Sequence, residues 1–232
     1  MFTFKQFVIK QDKTPMKVGT DGVLLGAWVK CEGKKCILDI GTGTALIALM
    51  MAQRNHLAHI DAVEIDEDSA SQAKENVEAS KWGDRVDIHN IDIVNFNNKF
   101  SYDLIVSNPP YFNDSLLPPS KKREVARHTT TLNFESLIDS VLRLMTCDGR
   151  FDLILPSKEM TDFKSLAKGR LFPVRECRVL SRIDGDAKRV MCEFSSQNTT
   201  DCQFENIAIR ESNSNEYTQE YRLLTADFYL KF

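Results

Sequence analysis

Long apolar runs are missing. No stretch of the 232 residues approaches the roughly 18 apolar residues that a membrane helix needs, so no membrane partner is expected. The start, Met1-Phe2-Thr3-Phe4-Lys5-Gln6, lacks the basic cluster and apolar run of a signal peptide. Histidine is scarce, at four residues, and the six cysteines (31, 36, 147, 177, 192 and 202) include no Cys-x-x-Cys pair and have no histidine at ligand spacing. No metal site is therefore expected, and the thiols read as reduced ones in a cytoplasmic protein. An excess of positive charge is lacking too: a net charge of −3 argues against a protein that coats nucleic acid. There is no internal repeat and no obvious linker, and the length suits one sizeable core better than two. The expectation is one domain over 1–232, with an N-terminal segment 1–35, a core 36–195 and a C-terminal extension 196–232 that completes the sheet.

What is present alternates. Cys36–Ile40, His59–Ile65, Val86–Ile91, Tyr102–Ser107 and Phe151–Leu155 are short runs rich in Ile, Val and Leu that read as strands. Thr44–Gln53, Glu67–Ser80 and Asn133–Met145 have helical spacing between them. That rhythm implies crossover connections and a mostly parallel sheet covered on both faces. After Pro173 it changes: Val174–Ile183, a turn at Asp184-Gly185-Asp186-Ala187 and Lys188–Ser195 form a candidate hairpin, with Gln203–Arg210 as a candidate further strand. Phe112–Thr131 reads as a long loop of the kind that often carries function. The apolar tail Tyr217–Phe232 is expected to dock. Charge is spread unevenly, since 121–190 holds 15 Lys and Arg against 10 Asp and Glu in an otherwise acidic chain. Such a zone marks either an anionic partner or an ordinary solvated face.

Cys36-Ile37-Leu38-Asp39-Ile40-Gly41-Thr42-Gly43-Thr44 reads as a buried strand, a Gly-rich turn and a helix start. Gly41 and Gly43 permit a sharp turn and a close approach of ligand to main-chain N–H groups, and the helix adds its positive end. Taken alone, this also fits a plain strand-to-helix turn or a dinucleotide site. Glu64, closing the second strand, is placed to accept from both hydroxyls of a ribose, and Asp92, after the third, from an adenine amino group. No third glycine follows: Leu46 and Ala48 stand in the candidate positions. Asp39 would face a pyrophosphate poorly and the charged amino-acid end of S-adenosylmethionine well.

The fourth strand delivers Asn108-Pro109-Pro110-Tyr111-Phe112. Two prolines fix φ at successive residues and hold Asn108 extended. The Asn108 side-chain carbonyl and the Pro109 main-chain carbonyl can then receive the two hydrogens of one NH2 group, while Tyr111 offers a flat face worth roughly 1–3 kcal/mol to a stacked base. A planar amino nitrogen is a weak nucleophile, and gripping both hydrogens localises and aims its lone pair without a strong base. No cysteine stands in 107–112, so C5 methylation of a pyrimidine does not fit. In isolation the same four residues make a rigid turn.

Asp39-x-Gly41-x-Gly43, Glu64 and Asp92 resemble, in order and spacing, the motifs of class I S-adenosylmethionine-dependent methyltransferases. That resemblance implies a Rossmann-like α/β fold with a seven-stranded, mostly parallel sheet and one antiparallel strand. It implies that Asp39, Gly41, Thr42, Gly43, Glu64, Ile65, Asp92, Ile93 and Asn108 line the cofactor site. The Asn-Pro-Pro-Tyr segment is similar to that of N6-adenine and glutamine-N5 methyltransferases. The short stretch before Cys36 leaves no room for the helical substrate domain of the glutamine enzymes, and no added recognition domain of the duplex-DNA enzymes is apparent. Lys17-Val18-Gly19-Thr20-Asp21-Gly22 and the ending Tyr217–Tyr229 resemble bacterial tRNA1(Val) (adenine-N6)-methyltransferases over nearly the whole chain. This implies methylation of the adenosine at position 37 in the tRNA anticodon loop, with Asn108, Pro109, Pro110 and Tyr111 as the catalytic group. It also implies that Lys17 and Thr20 lie in a segment covering the cofactor, where the residues alone suggest a helix capped at a glycine. Lys121, Lys122, Arg123, Arg127 and His128 become candidate RNA contacts, with Lys188 and Arg189 a weaker second patch. A monomer is expected. Glutamine methylation and non-catalytic RNA binding remain the competing readings.

Overall fold

The computed structural model describes residues 1–110, 133–198 and 201–231. A two-stranded ribbon, β1 (Phe2–Thr3) and β2 (Val8–Ile9), precedes helix α1 (Thr20–Trp28). The core then runs β3 (Cys36–Ile40), α2 (Leu46–Arg54), β4 (His59–Glu64), α3 (Glu67–Glu78), β5 (Val86–Asn90) and β6 (Tyr102–Ser107). It continues with α4 (Phe134–Leu144), β7 (Met145–Pro156), α5 (Ser157–Ala167), β8 (Phe172–Arg182), β9 (Ala187–Ser195), β10 (Gln203–Arg210) and α6 (Gln219–Thr225).

The sheet order is β10-β8-β9-β7-β6-β3-β4-β5. Only β9 runs against its neighbours; every other pairing in this sheet is parallel. The expected seven strands are therefore eight. Gln203–Arg210 pairs in parallel along Arg175–Arg182 and covers an edge that a hairpin alone would leave open. Its first four residues are exposed, which explains the weak burial signal in its sequence.

Strands β3 and β6, and β7 over residues 151–155, are buried on both faces and so read as nearly continuous apolar runs. Apolar side chains form two clusters, one on each face. The first joins α1, α2, α3 and α6 through residues such as Leu24, Leu49, Ala73 and Tyr221; the second joins α4 and α5 through Ile138, Val141 and Phe163. Helix starts follow ordinary capping: the Asp66, Asn133 and Thr218 side chains accept from Ser69, Ser136 and Tyr221 N–H groups respectively. Helix α5 had no counterpart among the expected elements.

The two ends of the chain meet. Lys5 N–H donates to the Phe228 carbonyl (2.8 Å), and Phe228 is fully buried, so the tail docks as expected. The segment after β2 is tied to α3 by two buried amides. Asn76 bonds both main-chain groups of Lys10, and Gln72 accepts from Lys13 N–H. Among the described residues no helix is long and apolar enough to cross a membrane.

Candidate functional site

The turn after β3 is left-handed at alternate residues: Gly41 (φ 71°), Gly43 (φ 59°) and Ala45 (φ 64°). An alanine in this region costs about 1 kcal/mol or more, so the turn is over-determined by its surroundings. It also delays helix α2 to Leu46, two residues beyond the expected start at Thr44. A Cβ added to Gly41 or Gly43 would meet nothing within 4 Å, so both glycines border open space rather than packed protein.

Asp39 anchors this turn from beneath. Its Oδ2 accepts from Thr42 Oγ1 (2.6 Å) and Ala48 N–H (3.2 Å), while Oδ1 is buried with no partner. Burial pushes its pKa up to about 7; the two donors pull the other way, and the nearby Glu64 charge adds to the rise. An orphaned buried carboxylate oxygen beside two open glycines suits a ligand that brings a positive charge. Ala48, one of the two candidate positions for a third glycine, spends its N–H on Asp39.

Glu64 closes β4 beside the same turn. Its Oε2 accepts from Gly43 N–H (2.9 Å) and Oε1 from Asp66 N–H (3.0 Å), so it shapes the loop and retains acceptor capacity toward solvent. Gly41 and Thr42 N–H groups both point to the Val63 carbonyl. Ile65 is exposed, an apolar surface next to the acid, whereas Ile93 is buried in the core. Asp92 is half-buried, and its Oδ1 accepts from Val94 N–H (3.0 Å) in the turn that follows β5.

Asn108 and Pro109 lie at the carboxyl end of β6, the strand beside β3. Ser107 Oγ donates to the Ile40 carbonyl (2.9 Å), locking the end of β6 to the start of the Gly-rich turn. Asn108 is half-buried and Pro109 buried, while Pro110 is exposed. Among the described residues the Asn108 amide makes no hydrogen bond, which leaves its carbonyl free to accept from a ligand. Helix α1 closes on it from the other side: a Cβ on Gly22 would stand 3.7 Å from Asn108 Nδ2 and 3.1 Å from Leu46 Cδ2. Gly22 thus matters for close approach, a role its sequence position did not disclose.

The N-terminal signature divides. Thr20 is the first residue of α1, capped by the extended Gly19, which agrees with the helix suggested by the residues themselves. The Lys17 ammonium is bound by the Gln11 and Thr14 carbonyls and so braces its own loop. Tyr111, Lys121, Lys122, Arg123, Arg127 and His128 lie outside the described residues. The basic zone is otherwise much paired. Arg189, expected in a second RNA patch, is tied to Asp21 of α1 (2.8 Å), and Arg175, itself buried, bonds Glu193 (3.0 Å) under the Trp28 ring (3.6 Å). Lys164, Arg170 and Arg178 also have carboxylate partners.

The fold also brings His59, Asp61 and Asp87 within 4.8 Å of one another, which linear spacing did not suggest. They sit at the amino ends of β4 and β5, opposite the Gly-rich turn. Asp61 there already accepts from Tyr102 Oη (2.7 Å) and Asn98 Nδ2 (3.1 Å) and faces His89, which serves packing of the buried tyrosine.

Comparison with known proteins bears on this geometry. The family described as the methyltransferase small domain matches residues 18–130. A Bacteroides fragilis tRNA1(Val) (adenine(37)-N6)-methyltransferase is 44% identical over 99% of this chain and 98% of its own length. The Flavobacterium johnsoniae protein of the same name is 43% identical, and both chains are covered completely. Among solved structures, one from Agrobacterium tumefaciens described as a predicted O-methyltransferase superposes with a TM-score of 0.71 at 18% identity, covering 90% of this chain and 96% of that one. The N-methyltransferase NodS from Bradyrhizobium japonicum gives 0.53 at 12% identity, covering 75% and 93%. At such identities these structures share the fold alone.

Proposed function

The chain belongs to the family of tRNA1(Val) (adenine(37)-N6)-methyltransferases, and on that premise we propose that it methylates N6 of the adenine at position 37, beside the anticodon, of a tRNA. When bound, S-adenosylmethionine supplies a methyl group on a positively charged sulfur, electrophilic enough for a weak amino nucleophile. Asp39, Gly41, Thr42 and Gly43 would hold its amino-acid end, with the Asp39 Oδ1 orphan as the acceptor for its ammonium. Glu64, with Ile65 beside it, would take the ribose, and Asp92 with Ile93 the adenine. Lys17 and Thr20 would keep the covering segment in place.

The observation that carries the reading is the position of Asn108. It stands at the end of β6, one strand from the Gly-rich turn, half-buried and with its amide not engaged by the described residues. On this reading its Oδ1 and the Pro109 carbonyl accept the two N–H bonds of the target amine, and hold the nitrogen lone pair toward the turn. Fixed acceptors need no reorganisation as the amine gains positive charge, so they stabilise the transition state more than the ground state. The product proton then leaves an acidic ammonium to water, and no dedicated base is needed. Tyr111 would stack on the target base, and Lys121, Lys122, Arg123, Arg127 and His128 would hold the flanking phosphates while the base is turned out of its stack. The same reading takes the chain as one unit over 1–232, acting as a monomer on the anticodon loop.

Mass spectrometry of nucleosides tests it directly. Unmodified tRNA1(Val) incubated with the protein and S-adenosylmethionine should gain one N6-methyladenosine per molecule, located at position 37. Methylation at another atom, or of a glutamine side chain instead, would overturn the proposal.

A further inference from the structure

The Gly-rich turn is held against its own preference where it enters α2. Left-handed backbone is unfavourable for alanine, yet Ala45 adopts φ 64° as the residue that caps the helix. Were Ala45 right-handed, α2 would begin one residue earlier and Ala48 N–H would bond the Thr44 carbonyl. In the fold the two halves of that bond go elsewhere. Ala48 N–H is taken by Asp39 Oδ2 (3.2 Å) from β3, and the buried Thr44 carbonyl accepts from Asn76 Nδ2 (3.0 Å) on α3. Asp39 and Asn76 thus hold the turn open from two sides.

Asn76 is itself pinned. It is buried, its Oδ1 accepts from Lys10 N–H (2.8 Å), and its Nδ2 also donates to the Lys10 carbonyl (2.8 Å). A primary amide has one carbonyl oxygen and two N–H bonds, so these two contacts fix the amide plane and leave one N–H, which points at Thr44. Lys10 belongs to the segment that follows β2, and the same face of α3 holds that segment at two further points. Gln72 accepts from Lys13 N–H (3.1 Å), and Ser69 Oγ donates to Thr14 Oγ1 (3.1 Å). Residues 69, 72 and 76 recur at helical spacing, so the three contacts lie along one stripe. Of the three, Asn76 alone also reaches the turn.

A buried carbonyl without a donor is costly, so the left-handed Ala45 is stable while Asn76 supplies one. Without that donor the Thr44 carbonyl regains a partner when Ala45 returns to right-handed backbone and Ala48 N–H leaves Asp39. The relaxation shifts the turn that carries Gly41, Thr42 and Gly43. It also deprives the Asp39 carboxylate of one of its two donors, leaving Thr42 Oγ1.

We propose that Asn76 is a positioning residue for the cofactor, which holds the Gly-rich turn in its left-handed course and couples that turn to the docking of residues 10–14. The inference rests on the assignment of the turn to S-adenosylmethionine and deepens it, since it places a determinant of cofactor affinity on an amide buried behind the turn. Docking of the segment orients the amide, and the amide in turn orients the main chain that meets the cofactor.

The test is calorimetric titration of the full-length protein with S-adenosylmethionine across neutral pH, comparing wild type with Asn76→Ala and Gln72→Ala. Both variants lose a buried tie to residues 10–14, but Asn76→Ala alone strands Thr44. Asn76→Ala should raise Kd about tenfold at a pH of about 7.5. It should also move the pH at which affinity levels off upward by about half a unit, because Asp39 keeps one donor while Glu64, the charged neighbour that bears on it, is unchanged. Gln72→Ala should lower thermal stability and leave Kd and the pH profile as in the wild type. A wild-type Kd and profile for Asn76→Ala, or equal losses in the two variants, would overturn the proposal. The wild-type protein supplies a second measurement that does not depend on the folding of a variant. Cofactor binding should slow hydrogen exchange of Lys10 N–H more than that of Lys5 N–H, which is tied to the Phe228 carbonyl. Equal slowing at both, or none at Lys10, would remove the coupling. A wild-type protein that does not bind S-adenosylmethionine would instead sink the cofactor reading itself.

Discussion

The proton on Asp39 should be coupled to the cofactor. Its carboxyl group is 1% exposed, with one oxygen orphaned, and burial raises its pKa to about 7 from an ordinary 3.8. Near pH 6 only about one-tenth of the free protein would carry the charge. A cationic amino-acid end is attracted to the ionised form, so binding must expel the proton. Affinity for S-adenosylmethionine should therefore rise about tenfold from pH 6 toward pH 7.5, about 1.4 kcal/mol, and then level off. Calorimetry at pH 6 in two buffers of different ionisation enthalpy should show close to one proton released per cofactor. Asp39→Asn should remove both the slope and the proton release while weakening binding at pH 7.5. Stability of the free protein carries the opposite sign. Because the folded pKa is raised, the contribution of this group is greatest below pH 4 and is lost as pH rises toward 7, by about 1.4 kcal/mol per pH unit in that window. A flat affinity between pH 6 and 7.5 with no proton release would refute the assignment of Asp39 to the charged end of the cofactor.

Three other perturbations follow from the geometry. Asn108→Ala should lower kcat by roughly 10²–10³ while leaving the cofactor Kd within a few fold, measured by single-turnover methylation and calorimetry; near-normal turnover would remove Asn108 from the reaction. Glu64→Ala deletes acceptors for Gly43 and Asp66 N–H groups, so cofactor affinity should fall about tenfold with a smaller loss of thermal stability. Unchanged affinity would count against its ribose role. Arg175→Ala leaves Glu193 with Arg150 alone and uncovers Trp28, and should cost about 1–3 kcal/mol in urea unfolding, a loss that a role in binding RNA alone would not produce.

Much of the fold was local enough to be read along the chain. Strand–helix alternation depends on nearest-neighbour burial, and the bounds of Cys36–Ile40 and Tyr102–Ser107 agree residue for residue with β3 and β6. The placement of Asp39, Glu64, Asp92 and Asn108 at the ends of successive strands follows from the same alternation, because parallel strands joined by crossovers all end on one rim. The pairing of distant residues was decided by the tertiary structure. Linear charge counting made 121–190 a basic zone, yet Arg175 and Arg189 are matched by Glu193 and Asp21, the latter 168 residues away. Arg182, in the same zone, donates instead to the main-chain carbonyls of Glu211 and Ser214. The eighth strand was likewise only a candidate, since its exposed first half carries little periodic signal and its place is set by the open edge of β8. Local burial determines which segments become strands and where each acidic side chain emerges. Charge is a property of the whole assembly, so which cations remain for an RNA is settled only when every carboxylate has found its neighbours.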